Sequence, residues 1–195
     1  AEDSISYELG FKSPLADGAV RLNGALYSHD FDDYISRQNA LNIINPDGSI
    51  DRSGITANGD AEVWGAELEL SANLSANWYL GGSLSYTEGE YASGTLLPCN
   101  EFDDNGVPIF PTGQPVAQCG ESGNQLGRVP EWTASVNTEY RVDFGGFEGY
   151  GRALFAYTGN QNAEAATITT PAIDLDAYST LDAYLGVRTD RWHVE

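Results

Sequence analysis

Between Val63 and Thr87, apolar and polar positions alternate along two stretches joined by a very short turn. In the first, Trp64, Ala66, Leu68, Leu70, Ala72 and Leu74 share one face, and Val63, Gly65, Glu67, Glu69, Ser71 and Asn73 share the other. In the second, Trp78, Leu80, Gly82, Leu84 and Tyr86 alternate with Tyr79, Gly81, Ser83, Ser85 and Thr87. A period of two is the signature of a strand with unlike faces. Each stretch runs for roughly ten residues, whereas strands of globular domains average about 5–6. At about 3.3 Å per residue and a ~45° tilt, Trp64 to Leu74 covers about 23 Å of depth, close to the ~25 Å apolar band of a transmembrane barrel. Aromatic residues bracket that face, with Trp64 and Tyr86 at one end and Trp78 at the other. The pattern predicts strands with hydrocarbon on one side and water on the other.

The same rhythm recurs along the chain. Ile5, Tyr7, Leu9 and Phe11 alternate with Ser6, Glu8, Gly10 and Lys12, and a turn follows at Pro14 to Gly18. A second strand is predicted from Ala19 to about Arg37, then a loop over about 38–58 with a turn at Pro46-Asp47-Gly48. Residues 92–130 read as one long irregular segment rich in Gly, Pro, Asn and Asp. Beyond it, Trp132, Ala134, Val136, Thr138 and Tyr140 face outward. So do Gly151, Ala153, Phe155 and Tyr157, with Leu154 breaking the alternation and packing inside. A loop over about 159–177 leads to Leu181, Ala183, Leu185 and Val187, and Trp192–Glu195 opens an eighth strand. Connections alternate short and long, as in an up-and-down barrel with short periplasmic turns and long outer loops.

Composition changes this picture little. Hydrophobic residues make up 41% of the 195, which fits both a soluble protein and a barrel in which only alternate residues meet lipid. No apolar run is long enough for a transmembrane helix. The net charge of −20 argues against nucleic acid as a partner. It suits either solubility or the steering of cationic or metal-bearing ligands. The chain has no Met and no secretory leader, and reads as a piece of something longer. Cys99 and Cys119 lie 20 positions apart with no His cluster nearby. That favours a disulfide closing the long loop over a zinc site, and with it an oxidising compartment.

Four phrases carry a family resemblance: Ala19–Tyr27 running into Asp30–Tyr34; Val63-Trp64-Gly65-Ala66-Glu67-Leu68-Glu69-Leu70; Arg128-Val129-Pro130-Glu131-Trp132; and Tyr178–Arg188 followed by Trp192. In their order and spacing the chain resembles the C-terminal part of the barrel of TonB-dependent receptors of the bacterial outer membrane. The resemblance implies an all-β, antiparallel up-and-down barrel segment of about 7–8 strands. It makes residues 1–195 a partial barrel domain with 92–130 as a disulfide-closed extracellular loop. It also implies an N-terminal plug and a TonB-coupling segment outside this sequence, outer-membrane lipid as a partner, and a small-molecule cargo such as a metal chelate. TonB-energised uptake of a ferric siderophore, haem, cobalamin or an oligosaccharide follows from that family, with no resident cofactor. A non-transporting barrel, porin or adhesin, and a soluble acidic all-β binding domain remain as alternatives.

No catalytic constellation, phosphate loop or dinucleotide fingerprint appears, so enzymatic activity is not expected. Asp103-Asp104-Asn105-Gly106 and Asp47-Gly48-Ser49-Ile50-Asp51 lack the spacing and distal Glu of a calcium loop and read as turns. His29 and His193 lie far apart, and His29 falls near the outer end of its strand as a solvated or interfacial residue. Glu67, Glu69, Arg141, Arg152 and Arg188 face the lumen in this reading, where they meet a plug, water or cargo. Tyr91 lies on the outer side, where a receptor first meets its cargo.

Overall fold

Strands, numbered β1–β14 along the chain, dominate the computed structural model, which describes residues 2–163 and 173–195. Eight of them pair in chain order into one antiparallel sheet: β1 (Asp3–Leu15), β2 (Val20–Ile44), β3 (Ile50–Ser75), β4 (Trp78–Tyr91), β9 (Trp132–Asp143), β10 (Glu148–Thr158), β13 (Tyr178–Arg188) and β14 (His193–Val194). The remaining strands form small ribbons. β5 (Leu96–Cys99) pairs β8 (Ala117–Gly120), β6 (Glu101–Phe102) pairs β7 (Pro108–Ile109), and β11 (Gln161–Asn162) pairs β12 (Asp174–Leu175). β1 and β14 are the edges of the large sheet.

The register confirms the predicted faces. Leu9 pairs with Leu26, Leu26 with Ala66, Ala66 with Tyr86, and Tyr86 with Trp132, so one row of apolar and aromatic residues crosses five strands. Among the described residues no second protein layer covers this face. Trp64, Leu68 and Leu84 are 50%, 43% and 44% exposed. In water, such a surface would cost about 25 cal/mol per Å² left uncovered, and in a bilayer that penalty vanishes. Aromatic pairs mark both margins. Trp64–Tyr86 and Tyr86–Trp132 meet as tilted pairs with centroids 5.3 and 4.9 Å apart at the long-loop end, and Trp78–Tyr140 edge to face at 6.4 Å at the short-turn end. Tyr86 and Trp78 are eight positions apart on β4, about 20 Å of depth, which matches an apolar band between two girdles.

Three expectations change. Residues 38–58 are not an open loop, because β2 runs to Ile44 and β3 starts at Ile50, leaving only a tight connection around Pro46–Gly48. The hairpin was hidden for two reasons. Register shifts between Phe31/Tyr34 and Gln38/Leu41, with Asp33 and Ala40 at positive φ, break the period of two. Above the girdle, no lipid demands apolar side chains. Residues 92–130 are not featureless either, since two ribbons organise them. Leu154 lies on the inner face opposite Asn137 and stays 38% exposed. Much of the loop over 159–177 lies outside the described residues.

The buried core sits at the outer mouth rather than in the wall. Ala61, Tyr91, Leu97 and Leu126 form one cluster, with Phe31, Tyr34, Ala57, Val63 and Val129 packed against it. Ala61 and Tyr91 are a cross-strand pair on the inner face, so the long loop folds inward over the bore side of the wall.

If the outward face meets hydrocarbon, Leu68→Arg will destabilise the full-length protein by about 2–4 kcal/mol in lipid vesicles, and Ser83→Arg on the inner face by much less. Urea unfolding in vesicles measures both. Equal, small effects would contradict the assignment of faces.

Candidate functional site

The inner face changes chemistry along its height. At the short-turn end, Glu139 binds both Arg141 and Arg152, and Arg188 binds Glu148. Tyr150 is the buried centre of this group. Its hydroxyl donates to Glu195 and engages His193 Nε2, with the Arg152 guanidinium 4.7 Å above its ring and that of Arg188 at 5.9 Å. The three arginines predicted to face the lumen are thus brought together, each with a carboxylate partner from the wall itself.

At mid-height the wall is hydroxyl, amide and carboxylate. Ser83 and Ser135 share a 2.8 Å hydrogen bond, and Asn23 Nδ2 donates to Glu69 at 3.3 Å. Glu67 and Glu69 border a cleft of about 410 Å³ together with Glu8, Lys12 and Asn23. Both carboxylates lie on the polar face of the sheet, paired across strands with Ala25 and Ser85 and with Asn23 and Ser83.

Rings take over at the outer end. Tyr27, His29 and Phe31 alternate along the inner face of β2, and Tyr34 and Tyr91 continue the series. Successive centroids are 5.3, 6.2, 5.8 and 6.4 Å apart. Tyr27 lies flat across Gly65, its cross-strand partner, and its hydroxyl reaches Thr87 at 2.7 Å. A Cβ on Gly65 would stand 2.4 Å from that hydroxyl and 2.3 Å from the Tyr86 carbonyl oxygen. His29 Nδ1 is held by the Ser6 hydroxyl at 2.6 Å. Tyr91, the sequence's candidate for first contact with cargo, is only 2% exposed. It closes the ring series from beneath the loop, beside a cleft of about 390 Å³ that Tyr34, Gln38 and Arg128 also line. Burial pushes the Tyr91 phenol above its usual range.

The loop is fastened at both stems. Cys99 and Cys119 are bonded, with 5.8 Å between their Cα atoms, as the sequence predicted. Asn100 bridges to β2, accepting from the Asn42 amide at 2.7 Å and donating to the Ala40 carbonyl at 3.1 Å. The Ile44 amide donates to the Pro115 carbonyl, and the Leu126 amide to that of Gly89. At the tip, Asp103 accepts the amides of Val107 and Asn105, and in the β2–β3 turn Asp47 accepts the hydroxyl and the amide of Ser49. Both former calcium-loop candidates are Asx turns, and their carboxyls are held below the usual range by these donors. Among the described residues no three His, Cys, Asp or Glu side chains are grouped to hold a metal ion.

Period two along β2 puts Tyr27 on the polar face with Asn23, and the series it joins was not among the expectations. The available signal was an aromatic–x–His–x–aromatic run at period two on the side that otherwise faces water. Glu139, Glu148, Tyr150 and Glu195 carried no such signal, because their partnership depends on cross-strand register.

A family profile described as TonB-dependent receptor-like β-barrel matches residues 1–194. Solved structures share the fold at low identity. The ferric-catecholate import receptor Fiu of E. coli K12 is 18% identical with a TM-score of 0.58, and the match covers 97% of this chain and 22% of that one. The ferric yersiniabactin uptake receptor FyuA of Yersinia pestis is 19% identical with a TM-score of 0.63, over 95% and 22%. The copper transporter OprC is 16% identical with a TM-score of 0.59, over 97% and 23%. The chain therefore spans a little over a fifth of these receptors. No curated protein sequence matches it.

Gly65→Ala should lower stability by about 1–3 kcal/mol by driving Tyr27 off the wall, and adding Tyr27→Ala should recover part of the loss. Thermal unfolding of the single and double variants measures this, and purely additive losses would count against the contact. For Asp103, a depressed carboxyl pKa means that its turn is fully supported above the normal carboxylate range and loses that support as pH falls through the depressed value. Protection of the Asn105 and Val107 amides, relative to their intrinsic exchange rates, should fall in that acidic window and stay constant between pH 6 and 8.

Proposed function

We propose a function from one premise, that the chain belongs to the TonB-dependent receptor-like β-barrel family. It is then a wall segment of an outer-membrane receptor that takes up a scarce nutrient, with TonB supplying inner-membrane energy and a plug domain filling the bore. Solved relatives that share the fold handle ferric-catecholate, ferric yersiniabactin and copper, which favours a metal or metal chelate as cargo over haem, cobalamin or an oligosaccharide. The observation that carries the reading is the polar, ionically cross-linked inner wall, topped by a loop folded over the bore and backed by an apolar outer face. A lipid-exposed barrel with nothing to hold would not need so differentiated an interior.

Within this reading, Glu67 and Glu69 offer carboxylates to a plug surface. Arg141, Arg152 and Arg188 are engaged by the wall and stiffen its periplasmic rim. Residues 92–130 form the extracellular loop.

Cells carrying the full-length gene, cells lacking it and TonB-deficient cells are compared for accumulation of ⁵⁵Fe chelates, haem and labelled cyanocobalamin. The proposal expects at least one cargo to accumulate only when gene and TonB are both present. Accumulation independent of TonB would favour the porin alternative and overturn the receptor reading.

A further inference from the structure

The ring series on the inner face of β2 is more than loop packing. Phe31 and Tyr34 belong to the core beneath the loop, and Tyr91 is buried in it. Tyr27 and His29 do not pack against that core, yet they extend the series down to the girdle level of Trp64 and Tyr86 and stay half-buried on the bore side. A ring on a wet wall gains nothing from water on its open face. Here that face is fixed in place. Tyr27 is pressed against Gly65 and tied to Thr87, and His29 is tied to Ser6. Fixed rings lose little entropy when a second flat group stacks on them. Below Tyr27 the neighbouring wall turns to Asn23, Ser83 and Ser135, so this series ends at mid-height, well apart from the inner-face rings Tyr79 and Tyr150 near the short turns.

The surrounding charge selects among flat groups. Aromatic faces carry partial negative charge. Glu8 is the cross-strand neighbour of Tyr27 in β1. Above the girdle, Asp30, Asp60, Glu62 and Glu90 stand on the opposite face of the same strands, so they act on the mouth only through its overall acidic field, against the cations Arg37, Arg52 and Arg128. A highly anionic ligand would be repelled on approach, and an uncharged one would not.

We propose that Tyr27, His29 and Phe31 form a stacking track for cargo that presents a flat, uncharged aromatic or heteroaromatic face to the bore wall. The proposal rests on the uptake reading above. Rings descending from the mouth let cargo exchange one contact for the next, at similar spacing, on its way toward the plug.

Two uncharged octahedral iron complexes of similar size separate ring stacking from iron recognition. Tris(maltolato)iron(III) carries flat heteroaromatic rings, and tris(acetohydroxamato)iron(III) carries none. Equilibrium dialysis with ⁵⁵Fe against the detergent-solubilised full-length receptor is expected to show preferential retention of the maltolato complex. Tyr27→Ala and His29→Ala should each weaken it by about two- to twelvefold, the range of a lost aromatic pair. Tyr27→Phe, which keeps the ring, should retain it. Heat-modifiable mobility on gels confirms that each variant is folded, and His29→Ala, outside the loop core, carries the test if Tyr27→Ala does not fold. Equal retention of the two complexes, retention of neither, or retention unchanged in the folded variants overturns the track. If TonB-dependent uptake of a ring-bearing cargo persists unchanged in these variants, the track fails and the uptake reading stands. If maltolato retention behaves as expected but no cargo depends on TonB, the uptake reading fails instead.

Discussion

Hydrocarbon offers no partner to an amide, so each backbone N–H and C=O within the apolar band must find one in the chain. That requirement accounts for most of the architecture. It forces long strands, it forces each to pair with its neighbours, and the short turns make sequential antiparallel pairing the simplest way to comply. Once pairing is fixed, the pleat sends alternate side chains to opposite solvents. The outward row from Leu9 to Trp132 and the inward row of hydroxyls, amides and ions are two results of the same ladder.

That coupling also explains what was readable from the sequence. Where lipid lies on one side, it imposes a period of two, and the faces of Trp64–Leu74, Trp78–Tyr86 and Trp132–Tyr140 were legible from their residues. Past the girdle both faces are wet or packed, and the rhythm lapses. Gln38 to Asn58 looked like a loop for that reason, although it pairs nearly as regularly as the wall below. The disulfide was legible because two cysteines admit one intramolecular pairing. The Glu139–Arg152–Tyr150–Glu195 group was not, because it joins β9, β10 and the residue after β14 through a register no local pattern encodes.

Glycine has a particular use in this wall. Tyr27 lies over Gly65, Phe11 over Gly24 and Tyr150 over Gly186, each pair being direct cross-strand partners. A glycine in a strand weakens it by exposing backbone and adding no packing. A ring laid across it covers the exposed amides and recovers contact area. The device occurs on both faces, so it answers a defect of the strand and not a demand of either solvent. On the inner face it has a second effect, since it holds the ring parallel to the wall.

The way the long loop is fastened separates its stems from its tip. Tyr91, Leu97, Cys99, Cys119 and Leu126 hold the stems, while Phe102, Val107 and Ile109 at the far ribbon contribute nothing to that core and stand exposed. Substitutions between Glu101 and Gln114 therefore leave the mouth's framework intact. On the orientation proposed above, a bacterium carrying this protein is free to diversify that tip under attack by phage or antibody, without redesigning the wall beneath it.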